Sequence, residues 1–374
     1  MKAIQQIKTE KFSFASSVKD DVWHPKKDAR GYEWWYFDAL SDDGKDAVVV
    51  IFLDNFIFSP RYNKQAELRI TNYKLWKETP QSEIRNPKSP VPAVAFVYYR
   101  SGKPVYRAFN EYAPEEFSAD EEIPTCRIGD NSFKFEDAPY GSGYVLSINV
   151  KLRKNHYLEA HFEWLSIESD FAPEEKVGSH DSHSWNLVAP RSDVTGRITV
   201  SNDKGKNKDV VHFRGTGYHD HNLDNRWLPD TVQDWQWGRA HFADATAVFY
   251  RYKEHGSEPI AKLYIVNQGE LREIDVVYEE QSHARDKFGI KYPTRLRLVS
   301  EDDFRLRVKQ TEIIDSSFFY LRFLSEMTLT LRDGKPRKTV GITEHLAPKT
   351  LKYRWLDWLV NMRIGRNGKG SLLP

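Results

Sequence analysis

Apolar and polar residues alternate with period two in run after run of this chain. Leu146, Ile148, Val150 and Leu152 share one phase against Ser147, Asn149 and Lys151. Phe133 and Phe135 do so within Ser132–Asp137, and Phe304, Leu306 and Val308 alternate with Arg305 and Arg307. Met327, Leu329 and Leu331 alternate with Thr328 and Thr330. Successive side chains of a strand point to opposite faces, so this pattern demands half-buried strands lying on a core. Turn signals separate the runs: Asp42-Asp43-Gly44, Ser101-Gly102-Lys103, Asn202-Asp203-Lys204-Gly205, Asn267-Gln268-Gly269 and Arg332-Asp333-Gly334. Many strands, tight turns and few helical stretches predict a mostly β chain of antiparallel barrels or sandwiches. One helix is expected over Tyr353–Arg363, where Trp355, Trp358, Leu359 and Met362 follow helical spacing and would pack on a sheet.

The chain has 374 residues, more than the roughly 250–300 that one core serves. Two domains are therefore expected. The most polar break, Ser201 to Asp209, puts them at 1–205 and 206–374, the second carrying the terminal helix. The same stretch would also serve as a hairpin turn. No sequence repeat relates the halves, so any symmetry between them is one of structure only.

Charge and cysteine content exclude several functions. Lys and Arg total 55 against 54 Asp and Glu, which leaves no basic excess for a nucleic-acid partner. The single cysteine, Cys126, builds neither a disulfide framework nor a cysteine zinc site. That composition suits a reducing compartment, and a cytoplasmic location is expected. Met1 to Lys19 has no apolar leader segment, and no stretch approaches about 18 consecutive apolar residues. The segment Lys349–Lys369 sets Trp355 and Trp358 among Lys349, Lys352, Arg354, Arg363 and Arg366. It could touch a membrane surface, although packing of those tryptophans is the favoured expectation. Nothing in the sequence fixes the oligomeric state.

Three segments look unlike scaffold, in a chain whose aromatic content is 14%. In GYEWWYFDA, Gly31–Ala39, strand geometry puts Glu33, Trp35 and Phe37 on one face and Trp34 and Tyr36 on the other. Such a strand is covered on both sides, or one face lines a cavity. In DSHSWNLVAP, Asp181–Pro190, His183 and Trp185 share a face. In GTGYHDHN, Gly215–Asn222, Tyr218 and Asp220 share one face and His219 and His221 the other. A little later Trp235 and Trp237 share a face in QDWQWGRAHF, followed by Arg239.

Several chemistries are weighed against these residues. For a metal, His219 and His221 supply two positions and His180 or His183 a third. No HExxH or similar motif accompanies them, and hydrogen bonding in a crowded pocket is the simpler role, so no metal is expected. A GxSxG nucleophile elbow is absent, Cys126 has no histidine near it in sequence, and Ser182 and Ser184 merely flank His183. No GxGxxG or Walker loop points to a nucleotide cofactor. Acid catalysis on an apolar substrate fits better. An Asp kept neutral by an apolar surround can donate a proton, and aromatic faces stabilise the cation that follows. Asp220, with Tyr218, His183 and Trp185, has that make-up. Glu33 is a second candidate acid, and Trp34, Trp35, Tyr36, Trp235, Trp237 and Arg239 are candidates for the substrate-binding wall.

The phrases EWWYFDA, HSWNLVAP, GTGYHDHN, WQWGRAHF and GITEHLAP, in that order, resemble the carotenoid 1,2-hydratase (hydroxyneurosporene synthase) family and its AttH-like relatives. The resemblance spans roughly Gly31 to Arg363. It implies two lipocalin-like antiparallel β-barrel domains with a cavity near their junction. It also implies catalytic roles for His183, Trp185, Tyr218 and Asp220. Asp220 would protonate a terminal trisubstituted alkene, and water, oriented by Tyr218 or His183, would add to the tertiary cation without any cofactor. The substrate implied is an apolar isoprenoid, terpenoid or polyketide-like molecule. Related proteins suggest a cyclase with the same acid, in which an internal group traps the cation, and lipocalin-like barrels also serve as plain lipid or pigment binders. A binder needs the cavity but not a buried neutral Asp220, whereas an enzyme needs that carboxyl beside Trp185 rather than paired with Arg239. One departure follows GYHDHN: Leu223-Asp224 stands where a Trp-Gly pair is expected, which alters the expected cavity.

Overall fold

A computed structural model describes residues 12–25, 28, 30–67, 90–138, 141–171, 182–202, 209–332 and 334–373. Its strands are β1 (Phe12–Ala15), β2 (Tyr32–Ser41), β3 (Asp46–Leu53), β4 (Ala93–Arg100), β5 (Lys103–Glu111), β6 (Phe117–Ala119) and β7 (Thr125–Ile128). There follow β8 (Asn131–Ala138), β9 (Gly141–Lys151), β10 (His156–Glu168), β11 (His183–Asn202) and β12 (Asp209–Asp224). Then come β13 (Val232–His241), β14 (Ala245–Glu254), β15 (Ile260–Asn267), β16 (Glu270–Asp275) and β17 (Val277–Arg285). Last are β18 (Lys291–Val299), β19 (Arg305–Ser316), β20 (Tyr320–Thr330) and β21 (Arg337–Leu346).

Two sheets result. The first runs β5-β4-β3-β2-β12-β11-β10-β9-β8-β7-β6, with β1 added parallel to β11. The second runs β16-β15-β14-β13-β21-β20-β19-β18-β17. The same device builds both: two antiparallel meanders are joined where an early strand meets the last, β2 on β12 and β13 on β21. The halves thus share a topology that their sequences do not advertise. Each sheet curls into a half-barrel, the lipocalin-like arrangement the family resemblance implied.

Three apolar clusters explain the aromatic content. One fills the first sheet, with Trp35, Phe37, Val50, Phe96, Phe133, Leu146 and Trp164. A second fills the other sheet, with Phe249, Leu263, Leu298, Leu306, Met327 and Leu329. The third lies between the sheets and contains Trp34, Tyr36, Trp185, Tyr218, Trp235, Trp237 and Tyr250. Strand β2 therefore buries both faces, one in the first cluster and one in the third. The alternating runs behave as read: Leu146, Ile148, Val150 and Leu152 are all buried.

Two expectations need correction. Strands β11 and β12 are antiparallel neighbours in one sheet, so a boundary at 205/206 would separate paired strands. The polar stretch there lies between the two arms of a long hairpin, and its residues 203–208 are outside the described residues. The chain changes sheet after Asp224 and before Val232. The terminal helix is also shorter than expected. Only Asp357–Met362 is α-helical, preceded by 3-10 turns over Pro348–Lys352 and Arg354–Leu356. The tight turns rotate the apolar stripe, so Leu351, Leu356 and Ile364 are buried while Trp355 and Trp358 are exposed.

Candidate active site

The site is built where β2, β12 and β11 of the first sheet face β13 and β14 of the second. Strands β2 and β12 pair with Asp38 opposite Tyr218, Tyr36 opposite Asp220 and Trp34 opposite Asn222. Directly paired residues share a face, so these six side chains form one wall toward the second sheet. The close approach depends on Gly215, where a Cβ would stand 2.0 Å from the carbonyl oxygen of Leu40. Strand β11 adds His183 and Trp185, and β13 and β14 add Trp235, Trp237, Tyr250 and Tyr252.

Asp220 is the centre of this wall, with only 5% of its surface exposed. Its Oδ2 accepts hydrogen bonds from Trp185 Nε1 at 2.9 Å and the Tyr218 hydroxyl at 2.8 Å. Its Oδ1 accepts from Asn222 Nδ2 at 2.9 Å. Such donors favour the carboxylate, but burial is the larger effect, and the carboxyl is pushed up to about 7. Burial pushes the Tyr218 hydroxyl well above the usual phenol range, so it remains a donor. Trp237 Nε1 donates in turn to that hydroxyl at 3.3 Å. His183 is buried, which lowers it to about 3. It is therefore a neutral imidazole, with Nε2 hydrogen-bonded to the Tyr250 hydroxyl at 2.9 Å. Phe12 and Phe14 of β1 pack over the group, with ring centroids 6.0 Å from His183 and 5.3 Å from Trp185 respectively.

Arg239 does not pair with Asp220. It is buried against Asp38, to which its Nε donates at 2.9 Å. The Tyr36 hydroxyl donates to the same Asp38 at 2.7 Å and to Glu344 at 3.1 Å. Glu344 is held by Arg322 at 2.6 Å, and the Arg322 guanidinium lies 5.5 Å from the centre of the Tyr36 ring.

Beside this polar chain opens a largely apolar cleft of about 1140 Å³, open solvent included. Trp34, Tyr36, Val49, Phe56, Phe58, Phe109, Trp235, Phe318 and Phe319 line it, with Glu344, Arg322, Asp315, Arg107 and Arg363 as its charged groups. Asp220 does not line it, whereas Tyr36, its cross-strand partner, does.

Glu33 and Trp35 fall on the opposite face, away from the cleft. Glu33 Oε1 lies 2.7 Å from His221 Nε2 and 2.9 Å from His24 Nδ1. Asp21 lies 2.9 Å from His219 Nε2 and 3.2 Å from His221 Nδ1. Burial opposes the His221 charge, but the hydrogen bonds and charges of Asp21 and Glu33 prevail and lift it to about 9. His24, Glu33 and His221 bring potential metal-ligand atoms within 4.8 Å of one another. An imidazolium bridging two carboxylates accounts for that geometry. With His183 as third member the trio weighed from sequence does not assemble, because His183 faces the second sheet; the alternative third member, His180, lies outside the described residues.

The sequence model of the carotenoid hydratase CrtC family matches residues 167–372, over half the chain. The chain belongs to the carotenoid hydratase family. It is 28% identical over 366 residues to the hydroxyneurosporene dehydrogenase of Chlorobaculum tepidum, covering 94% of this chain and 92% of that one. It is 26% identical over 245 residues to an acyclic carotenoid 1,2-hydratase of Rubrivivax gelatinosus, covering 63% of this chain and 52% of the relative. A Thiocapsa roseopersicina protein of the same name is 24% identical over 330 residues, covering 83% and 69%. Among solved structures, an AttH-type protein of Nitrosomonas europaea superposes with a TM-score of 0.53 at 13% identity, covering 84% of this chain and 92% of its own. The protein CghA, in complex with Sch210972, superposes at 0.52 with 12% identity, covering 89% and 96%. These two likenesses concern the fold.

In this carotenoid hydratase family member, His183, Trp185, Tyr218 and Asp220 come together, and Trp34, Tyr36 and Trp235 share the cleft wall. Trp237 stands between the groups, its ring 5.0 Å from Tyr218 and 5.6 Å from Tyr36. Sequence reading missed Asn222, Tyr250, Arg322 and Glu344. Asn222 and Glu344 sit inside the phrases GTGYHDHN and GITEHLAP, so a closer reading of those phrases had access to them. Tyr250 and Arg322 carry no local signal. The unusual Asp224 is buried and paired with Arg226 at 2.8 Å, which also holds Glu254 at 2.9 Å.

Proposed function

We propose that this protein hydrates an alkene of an acyclic carotenoid by proton transfer from Asp220, without a cofactor. The observation that carries the reading is the burial of Asp220 among Trp185, Tyr218 and Asn222 with its carboxyl lifted to about 7. A carboxyl poised near neutrality serves both as acid and, once spent, as base. In this reading the proton moves from Asp220 to the less substituted alkene carbon, and a tertiary cation forms. Trp and Tyr rings around the site stabilise it by cation–π attraction of up to about 2 kcal/mol each when desolvated. Water adds to the cation, and its surplus proton returns to the Asp220 carboxylate. His183 and Tyr250 form a neutral hydrogen-bonded pair suited to orienting that water.

The cleft supplies the apolar channel for the rest of the chain. Because Tyr36 lines the cleft and Asp220 does not, the substrate end reaches the carboxyl only when the Tyr36 side chain gives way. A cation trapped by an internal alkene, as in a cyclase, would use the same acid; the neutral water-orienting pair favours hydration. No helix among the described residues is long and apolar enough to cross a membrane, and we place the protein in the cytoplasm at the membrane surface. The test is incubation with acyclic carotenoids and mass analysis of the products. A gain of one water, lost in Asp220→Asn with folding intact, supports the reading. Equal turnover by the variant, or tight binding with no product from either protein, rejects it.

A further inference from the structure

The cleft wall is made in part by the C-terminal segment, where Leu359, Val360, Arg363 and Ile364 line it. On the same short helix and the turn before it, Trp358 and Trp355 turn outward with 62% and 69% of their surface exposed. Every other tryptophan among the described residues is buried or half-buried. Tyr353 beside them is exposed as well. Large apolar surface left in water forgoes roughly 25 cal/mol per Å² of stabilisation, so a patch confined to one place calls for a partner.

Charge narrows the choice. From Lys349 to Lys369 there are six Lys or Arg and one acid, Asp357, in a chain whose net charge is only +1. Lys352 is shared with Asp230, Arg354 with Glu67 and Arg366 with Glu111. Lys349 and Lys369 are exposed and enter no ion pair among the described residues. A segment that carries both exposed indole rings and exposed lysines suits the boundary between lipid headgroups and acyl chains, where tryptophan concentrates and lysine meets phosphate.

We infer that Trp355 and Trp358 dock this protein on an anionic phospholipid bilayer and turn this wall of the cleft toward the lipid. An apolar molecule could then pass from bilayer to cleft between Leu359, Val360 and Ile364 without crossing water. Docking is read from the patch itself, and only the identity of what passes rests on the proposed reaction.

The experiment is co-flotation of the full chain with vesicles of phosphatidylcholine, alone or mixed with phosphatidylglycerol. Wild type should float with the mixed vesicles and less with phosphatidylcholine alone. Trp355→Ala/Trp358→Ala should bind at least about tenfold more weakly, a loss of about 1.4 kcal/mol, with an unchanged melting temperature. Lys349→Glu/Lys369→Glu should lose only the dependence on phosphatidylglycerol. The tryptophan variant should still convert detergent-dispersed carotenoid while failing on vesicle-embedded carotenoid. A wild type that does not float, or a tryptophan variant that floats like wild type, overturns the inference. So does a dimer in solution that the tryptophan variant breaks, since the patch then belongs to a second copy of the chain. Flotation as expected with no carotenoid converted in either form upholds docking and rejects the reaction.

Discussion

The burial of Asp220 makes a prediction about stability that needs no substrate. In the unfolded chain its carboxyl titrates near the ordinary value of 3.8, and in the folded protein near about 7. Between those values the native state holds a proton that the unfolded state has released. Stability therefore falls as pH rises, by up to about 1.4 kcal/mol for each pH unit. Across the window from about pH 4 to about pH 7 the loss comes to about 4 kcal/mol, fully expressed above the window and absent below it. The Asp220→Asn amide is neutral throughout. Its carbonyl can accept from Trp185 and Tyr218, and its NH2 can face Asn222 once that side chain flips. The assay is urea unfolding of both proteins from about pH 4 to about pH 8, read as the difference in unfolding free energy. Other titrations cancel in that difference. The variant should gain on wild type by about 4 kcal/mol across the range, with the change concentrated below pH 7. A flat difference would refute the reasoning. So would one of opposite sign, which would mean that the three donors outweigh burial and that Asp220 is an ordinary carboxylate.

Trp185→Phe removes the 2.9 Å donor to Asp220 Oδ2, so the proton should be held more tightly. The alkaline limb of kcat/KM against pH should move up by roughly one pH unit, where loss of packing alone would lower the curve without moving it. His221, lifted to about 9 by Asp21 and Glu33 despite burial, contributes stability that is complete below about pH 6.5 and lost as pH passes 9. His221→Gln should cost about 3 kcal/mol at pH 6 and abolish that fall, as read by unfolding at both ends of the window. Glu344→Gln strands the buried guanidinium of Arg322 and should cost about 3–5 kcal/mol in urea unfolding. Glu344→Gln/Arg322→Met should recover most of it.

Much of this site could be read from alternation alone. Strand geometry put Tyr218 and Asp220 on one face and His219 and His221 on the other, and the hydrogen bonds fall that way. The split of GYEWWYFDA into two faces was equally legible, but which face met the cleft was not. That depends on a second sheet contributed by residues two hundred positions later, as in the contact of Trp34 with Trp235. The sheet boundary was misplaced because a polar stretch marks a long hairpin as well as a linker. The exposed tryptophans were misread because helical periodicity says which residues share a side, not whether anything covers it. Arg322 and Tyr250 were invisible because each sits in an unremarkable strand and gains its role only across the interface.

The central claim is that Asp220 gives a proton to carbon. The direct measurement is turnover of an acyclic carotenoid in deuterated water by wild type and Asp220→Asn, with the product examined by mass spectrometry and NMR. The account predicts one deuterium on the carbon next to the new hydroxyl-bearing carbon for wild type, and no labelled product from the variant. A wild-type hydroxylated product without deuterium on carbon, or equal labelling by the variant, would contradict it.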